Sequence, residues 1–188
     1  YSTHTTYGNY YIWGSQIEAG SYATSYIPTY GAVRTRLQDS VSGAGTSSDF
    51  NDSEGVLFAE ISRSEGNSGT VAISLSDGTN ANQVTFYYFS TNQTYFDILG
   101  SSPNVSVGVT IPSTSDLNKI ALKYKSGDIS LWVNGSEAIS RTDTITLSGL
   151  SELSLRYGNN AAPFFGRTSQ IQVFKTALSD AELITLTT

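Results

Sequence analysis

Midway through its second half the chain reads Lys119-Ile120-Ala121-Leu122-Lys123-Tyr124, turns at Gly127-Asp128 and resumes as Ile129-Ser130-Leu131-Trp132-Val133, with Asn134-Gly135 directly behind. Ile120, Leu122 and Tyr124 alternate with Ala121, Lys123 and Lys125. Across the turn, Leu131 and Val133 alternate with Ser130, Trp132 and Asn134. A period of two in both arms describes two strands with an inward apolar face and an outward polar one. Asn-Gly supplies the left-handed backbone of a hairpin turn. A chain built around this pattern must find a second layer to cover its apolar side.

The same signal recurs upstream at Val56 to Ser62, Thr70 to Ser76, Gln83 to Ser90, Thr94 to Leu99 and Ser106 to Ile111. Turn signals separate these runs at Ser64-Glu65-Gly66-Asn67, Asp77-Gly78-Thr79-Asn80, Thr91-Asn92 and Gly100-Ser101-Ser102-Pro103. Glu152 to Tyr157 and Ser169 to Phe174 repeat the alternation downstream. Short strands at this spacing predict a sandwich. One helix is predicted, at the end: Ser179 caps, Glu182 completes a capping box three residues on, Asp180 sits in the first turn, and Leu178 and Leu183 form a hydrophobic staple. With 188 residues there is enough chain for one well-buried core plus an appendage.

Charge and composition exclude several functions. Net charge is −6 and the sequence pI about 4.6, so the basic footprint needed for a phosphate backbone is missing and nucleic acid is not expected as a partner. There is no cysteine, which removes disulfides, thiol catalysis and zinc-thiolate sites. No apolar run reaches bilayer length, so membrane insertion is not expected. The opening at Tyr1, with no Met anywhere, is expected of a mature product or a fragment of a longer polypeptide.

The strand pair at 119–135, Gly166-Arg167 ahead of the last strand, and Leu178-Ser179-Asp180-Ala181-Glu182-Leu183 together resemble the laminin G-like branch of the concanavalin A-like sandwiches, from about Leu57 to Leu186. That resemblance implies an all-β, antiparallel two-sheet jelly roll with a short C-terminal helix, and a role in binding glycans or proteins. The opening residues Tyr10-Tyr11-Ile12-Trp13-Gly14-Ser15-Gln16-Ile17 read as a strand, followed by an extended linker to Thr29. The stretch from Glu18 to Thr29 is similar to a junction in phage tail and virion-surface proteins, where it hands over to a laminin G-like domain. Residues 1–31 are accordingly expected to be the end strand of a preceding domain plus a linker arm, and 32–188 the sandwich.

Catalysis finds little support. Hydrolases of this fold place Glu-x-Asp-x-(x)-Glu on one strand so that the carboxylates face one groove. Here Glu60, Glu137 and Glu152 are separate, and Asp97 lies in an aromatic strand with no carboxylate two or four residues away. The lone histidine, His4, falls in the arm, and there is no Gly-x-Ser-x-Gly elbow. The expectation is a protein that is not an enzyme.

Asp49, Asn51, Asp52 and Glu54 cluster before the first family-like strand, where hard oxygen ligands at short spacing suit a calcium ion and a solvated acidic loop explains the same residues. Aromatics carry more information: 12 Tyr, 8 Phe and 2 Trp exceed what a core of this size needs, and flat rings stack on the C–H faces of sugars. Alternation puts Trp132 outward beside Lys123, which makes it either a binding platform or a residue covered by a loop, an arm or another subunit. The loop Arg156-Tyr157-Gly158-Asn159-Asn160-Ala161-Ala162-Pro163-Phe164-Phe165 combines amides with aromatic area, and its phenylalanines are either exposed or folded under the sandwich. Of Tyr87 and Tyr88, one must point away from the core.

The predicted ligand-binding set is therefore Trp132, Lys123, Tyr157, Asn159, Asn160 and Tyr87. The resemblance implies an adhesion module of a phage tail or virion surface, extracellular or on the particle, that attaches to a cell-surface polysaccharide or glycan as a homo-oligomer, in fibres a trimer. Two other roles remain open from sequence: a structural domain acting through protein contacts, and a glycan-targeting module of a secreted polysaccharide-degrading enzyme.

Overall fold

The computed structural model describes residues 11, 13–17, 26–34, 41–101 and 103–188. Contacts divide the chain into two units, Tyr1–Asp39 and Ser40–Thr188. Among its described residues the second holds ten strands: β1 (Glu54–Arg63), β2 (Val71–Ser76), β3 (Gln83–Ser90), β4 (Gln93–Leu99), β5 (Val105–Thr110), β6 (Asn118–Lys125), β7 (Ile129–Val133), β8 (Ser136–Arg141), β9 (Glu152–Ser154) and β10 (Gly166–Phe174). Helix α1 (Asp180–Thr187) closes the chain. One antiparallel sheet is ordered β10-β1-β6-β7-β8, the other β5-β4-β3-β2-β9. This is the expected two-sheet sandwich.

The inward residues predicted by alternation meet in one core. Leu57, Ile61, Leu122, Tyr124 and Leu131 of the first sheet face Ile73, Leu75, Phe86, Tyr88, Phe96 and Ile98 of the second. The Asn134-Gly135 hairpin turn has both residues at positive φ, 48° and 80°, and joins β7 to β8. Strand β8 went unread in the sequence because Ser-Glu-Ala-Ile-Ser-Arg on a largely exposed edge has almost no apolar period to display. Strand β9 stops at Ser154, short of Tyr157. Beyond it the Ala72 N–H donates to the Ala162 carbonyl and the Ser74 hydroxyl to the Arg156 carbonyl, so the chain leaves the ladder and arches over. A Cβ on Gly166 would lie 2.0 Å from the Ser62 carbonyl, which explains glycine at the start of β10.

The first sheet is apolar on both faces. Val56, Phe58, Ala121 and Trp132 point away from the core, and α1 covers them with Leu183, joined by Leu178, Leu186 and Phe174. The helix begins as expected: Ser179 accepts from the Glu182 N–H, and the Glu182 carboxylate accepts from the Ser179 N–H at 2.8 Å.

This packing corrects two predicted site residues. Trp132 does face outward, yet it is only 5% exposed, and its Nε1–H donates to Ser130 Oγ at 3.0 Å. Its area holds the helix down and offers no platform to a ligand. Lys123 is likewise buried, with Nζ 2.7 Å from Asp128 Oδ1 and 3.3 Å from Asp180 Oδ1, the latter in the first turn of α1. Burial by itself would lower the Lys123 pKa, but the hydrogen bonds and charges of Asp128 and Asp180 outweigh it and hold it above the ordinary lysine value.

In the first unit Tyr11 and residues 13–17 have no regular structure, and Tyr10 and Ile12 of the predicted strand lie outside the described residues. A lone strand leaves its backbone groups unpaired, and no strand partner exists for it among the described residues. Its contacts are side-chain ones instead, Trp13 packing on Tyr26 at 5.2 Å between ring centroids and Gln16 Oε1 accepting from the Ile27 N–H at 2.8 Å. His4 and most of the junction segment lie outside the described residues.

If Trp132 is the keystone beneath α1, Trp132→Ala costs about 3–5 kcal/mol. The expected reading is a fall on the order of 10 °C in the thermal unfolding midpoint.

Candidate functional site

The outer face of the second sheet is built differently. Val84, Phe86 and Tyr88 of β3, and Phe96 and Ile98 of β4, point into the core. Alternation leaves Thr85, Tyr87 and Phe89, then Gln93, Tyr95 and Asp97, then Ser106, Gly108 and Thr110 on the opposite side. Register aligns them in rows. Ala72, Tyr87, Tyr95 and Gly108 lie side by side across four strands, and the next row is Ser74, Thr85, Asp97 and Ser106.

Four rings gather on this face. Tyr87 stacks on Tyr95 with centroids 5.4 Å apart and planes 17° from parallel. Tyr157, brought over from the loop after β9, meets Tyr87 edge-on at 5.3 Å, and Phe89 meets Tyr95 edge-on at 5.4 Å. Phe89 is 54% exposed, while Tyr87, Tyr95 and Tyr157 are half-buried. Two glycines make the arrangement fit. A Cβ on Gly108 would come within 2.5 Å of the Tyr95 ring, which lies over that bare backbone on the edge strand. A Cβ on Gly158 would sit 2.0 Å from the Thr79 carbonyl, so glycine lets the loop carrying Tyr157 press onto the sheet. The loop is pinned further by Gln83 Oε1, which accepts from the Gly158 N–H at 3.2 Å, and by Asn80 Oδ1, which accepts from the Asn159 N–H at 3.0 Å.

Asp97 sits in the middle of this face. It accepts from Ser106 Oγ at 2.6 Å and interacts with the Tyr87 hydroxyl, which in turn engages Tyr157. Burial raises its carboxyl above the usual carboxylate range, and the Ser106 and Tyr87 hydroxyls offset this only in part. Burial also raises the Tyr87 phenol, with the charge of Asp97 adding to it, so the tyrosine keeps its proton. The cross-strand neighbours of Asp97 are Thr85 and Ser106. Neither of these neighbours is a second carboxylate that could share proton transfer.

Four of the predicted binding residues come together here: Tyr87, Tyr157, and, on the rim, the exposed Asn159 and Asn160. The other two, Trp132 and Lys123, belong to the opposite sheet under α1. The loop phenylalanines divide, Phe164 entering the core and Phe165 staying 44% exposed. Sequence reading missed Tyr95, Phe89, Gly108 and the placement of Asp97. The available signal was the alternation of β4, which puts Tyr95 and Asp97 on one face.

The acidic residues before β1 have separate engagements. Asp49 Oδ2 accepts from the Thr46 N–H and hydroxyl, both at 2.9 Å. Asn51 Nδ2 donates to the Lys175 carbonyl, Asp52 accepts from the Gly149 and Leu150 N–H groups, and Glu54 pairs with Lys125. Among the described residues no three His, Cys, Asp or Glu side chains gather as a metal site. No helix among the described residues is long and apolar enough to cross a membrane.

Residues 48–184 match the family described as the concanavalin A-like lectin/glucanases superfamily. The chain belongs to that superfamily. No curated protein sequence matches it closely enough to count as a relative. Among solved structures, this concanavalin A-like domain superposes on the CBM40 of the Ruminococcus gnavus IT-sialidase bound to α2,3-sialyllactose, with TM-score 0.63 and 18% identity over 80% of this chain and 97% of that one. A SAP-like pentraxin of Limulus polyphemus matches at TM-score 0.59 and 13% identity, over 78% and 74% of the two chains. Domain 4 of AbnA, a GH43 extracellular arabinanase from Geobacillus stearothermophilus in complex with arabinotriose, gives 0.59 and 17%, over 74% and 68%. At such identities the likeness is one of fold.

Because the folded-state pKa of Asp97 is raised, the folded protein binds more protons than the unfolded chain between the two values, and stability falls as pH rises through that window. Asp97→Asn should therefore unfold at a higher temperature than the parent at pH 7. The gap should close below about pH 4, where the unfolded-chain carboxyl is also protonated.

Proposed function

We propose that this concanavalin A-like domain is a non-catalytic carbohydrate-binding module whose ligand lies on the outer face of the β5-β4-β3-β2-β9 sheet. The observation that carries this reading is the cluster of Phe89, Tyr95, Tyr87 and Tyr157 left at the surface around a half-buried carboxylate. Apolar ring area on a surface, rimmed by amides and hydroxyls, suits a sugar, whose C–H face stacks while its hydroxyls hydrogen-bond. Tyr95 and Phe89 supply the stacking surface. Asp97, Ser106, Gln93 and Asn159 supply the polar partners. Asp97, flanked across the strands by the hydroxyl residues Thr85 and Ser106 in place of a second carboxylate, favours binding over bond cleavage.

The module of the Ruminococcus gnavus enzyme and the arabinanase domain, each solved with a sugar, support the reading by analogy of fold. A site this shallow binds weakly per copy, so its use in adhesion calls for several copies on one particle or cell. The finer reading is attachment of a phage tail or virion, from outside the cell, to host-surface glycan. It rests on the resemblance of the segment from Glu18 to Thr29 to virion-surface junctions.

The test is a glycan array followed by titration calorimetry on the hits. Tyr95→Ala and Tyr157→Ala are each expected to weaken binding at least tenfold, whereas Trp132→Phe, on the other sheet, leaves it unchanged. Binding that survives both tyrosine substitutions would move the site elsewhere.

A further inference from the structure

We infer that this face selects glycans free of acidic groups, with Asp97 accepting hydrogen bonds from two sugar hydroxyls. The inference rests on the binding reading above and adds the ligand's charge class to it.

The charge of the face comes from its side chains. Of its outward positions, β3 contributes Thr85, Tyr87 and Phe89, β4 contributes Gln93, Tyr95 and Asp97, and β5 contributes Ser106, Gly108 and Thr110. None is a lysine or arginine. The groups that act on Asp97 are its own burial and the Ser106 and Tyr87 hydroxyls, with no cation among them. Arg156, next to Tyr157 in the arching loop, is the one cation close in sequence to the cluster. Its Nε is buried without a hydrogen-bond partner, its backbone carbonyl is held by the Ser74 hydroxyl, and its charge is not among the influences that act on Asp97. A carboxylate, sulfate or phosphate on a bound sugar would thus meet Asp97 across a partly desolvated surface with no compensating cation, and the repulsion grows as water is displaced. The net charge of −6 adds to it at longer range.

An ionised carboxylate offers about four acceptor positions. Ser106 and Tyr87 use two, which leaves acceptor capacity on Asp97, two residues along the same strand face from Tyr95. Two adjacent hydroxyls of a pyranose or furanose fit that remainder: the ring of the sugar stacks on Tyr95 and the diol reaches Asp97. Hydrogen bonds to an ionised acceptor are the stronger kind, so a carboxylate there reads neutral hydroxyls well without a counter-charge.

The full chain is applied to an array of neutral, sialylated, uronylated and sulfated glycans, and hits are titrated at low and high salt. Binding confined to glycans without acidic groups, insensitive to salt and weakened at least tenfold in Asp97→Asn while the variant unfolds no earlier than the parent, is the expected result. Preferential capture of acidic glycans that is lost in Tyr95→Ala overturns this inference and leaves the binding face standing. Neutral binding that Asp97→Asn does not alter overturns it as well. Absence of binding to every glycan removes both this inference and the reading it rests on.

Discussion

A two-sheet sandwich has four faces and buries only two of them by stacking, so the fate of the outer pair decides what the domain can do. On the β10-β1-β6-β7-β8 sheet the outer face is as apolar as the inner one, and bare exposure of Val56, Phe58 and Trp132 would forfeit the stabilisation that burial brings. A capping helix is the solution, and its capping box together with the Lys123–Asp180 contact fixes where it lands. On the other sheet no helix arrives. The outer face there is finished by a loop that covers Ser74, Ser76 and Gln83 and stops at Tyr157, leaving the aromatic row beyond it half-open.

That division explains what the sequence could and could not reveal. Alternation identified the inward sets of β1, β6 and β7 and placed Trp132 on the correct side of its strand. It carried no information about α1 returning fifty residues later to cover that side. The same periodicity said that one of Tyr87 and Tyr88 must leave the core, and choosing between them needed the register of β3 against β4. Ser90 pairs with Gln93 across the short turn, and continuing that register would set Tyr87 opposite Phe96. A bulge at Phe89 intervenes, so Tyr87 instead opposes Tyr95 and the aromatic pair comes out on the solvent face. One inserted residue exchanges the two faces of a strand. The bulge is thus the step at which fold becomes site, and nothing in the Tyr87-Tyr88-Phe89 run announces it.

The loop after β9 shows the complementary limit. Its Asn and Gly residues marked it as a turn, and the turn is there: Asn160 has φ of 67°, and Asn159 Oδ1 accepts from the Ala161 N–H. What made Tyr157 part of a site was long-range. Gly158 fits against the Thr79 carbonyl, and Gln83 and Asn80 hold its backbone, contacts separated by more than seventy residues in the chain. Local chemistry could propose the loop, but only the packed sheet beneath it could aim it.

The two outer faces also differ in how they treat charge. Lys123 is buried with two carboxylates, and together they hold its pKa above the ordinary value, so the folded state gains from keeping it ionised. Asp97 is partly buried with hydroxyls alone, and its raised pKa means that folding works against its ionisation. A carboxylate kept where it destabilises the domain, beside rings left partly in water, lies where local rules are broken without structural return. Such breaks concentrate where function is selected. On the helix-covered face Lys123 Nζ and Trp132 Nε1 both have partners; on the aromatic face the raised carboxyl and the half-open rings remain, and under the proposed reading a sugar supplies hydroxyls to the one and C–H surface to the other.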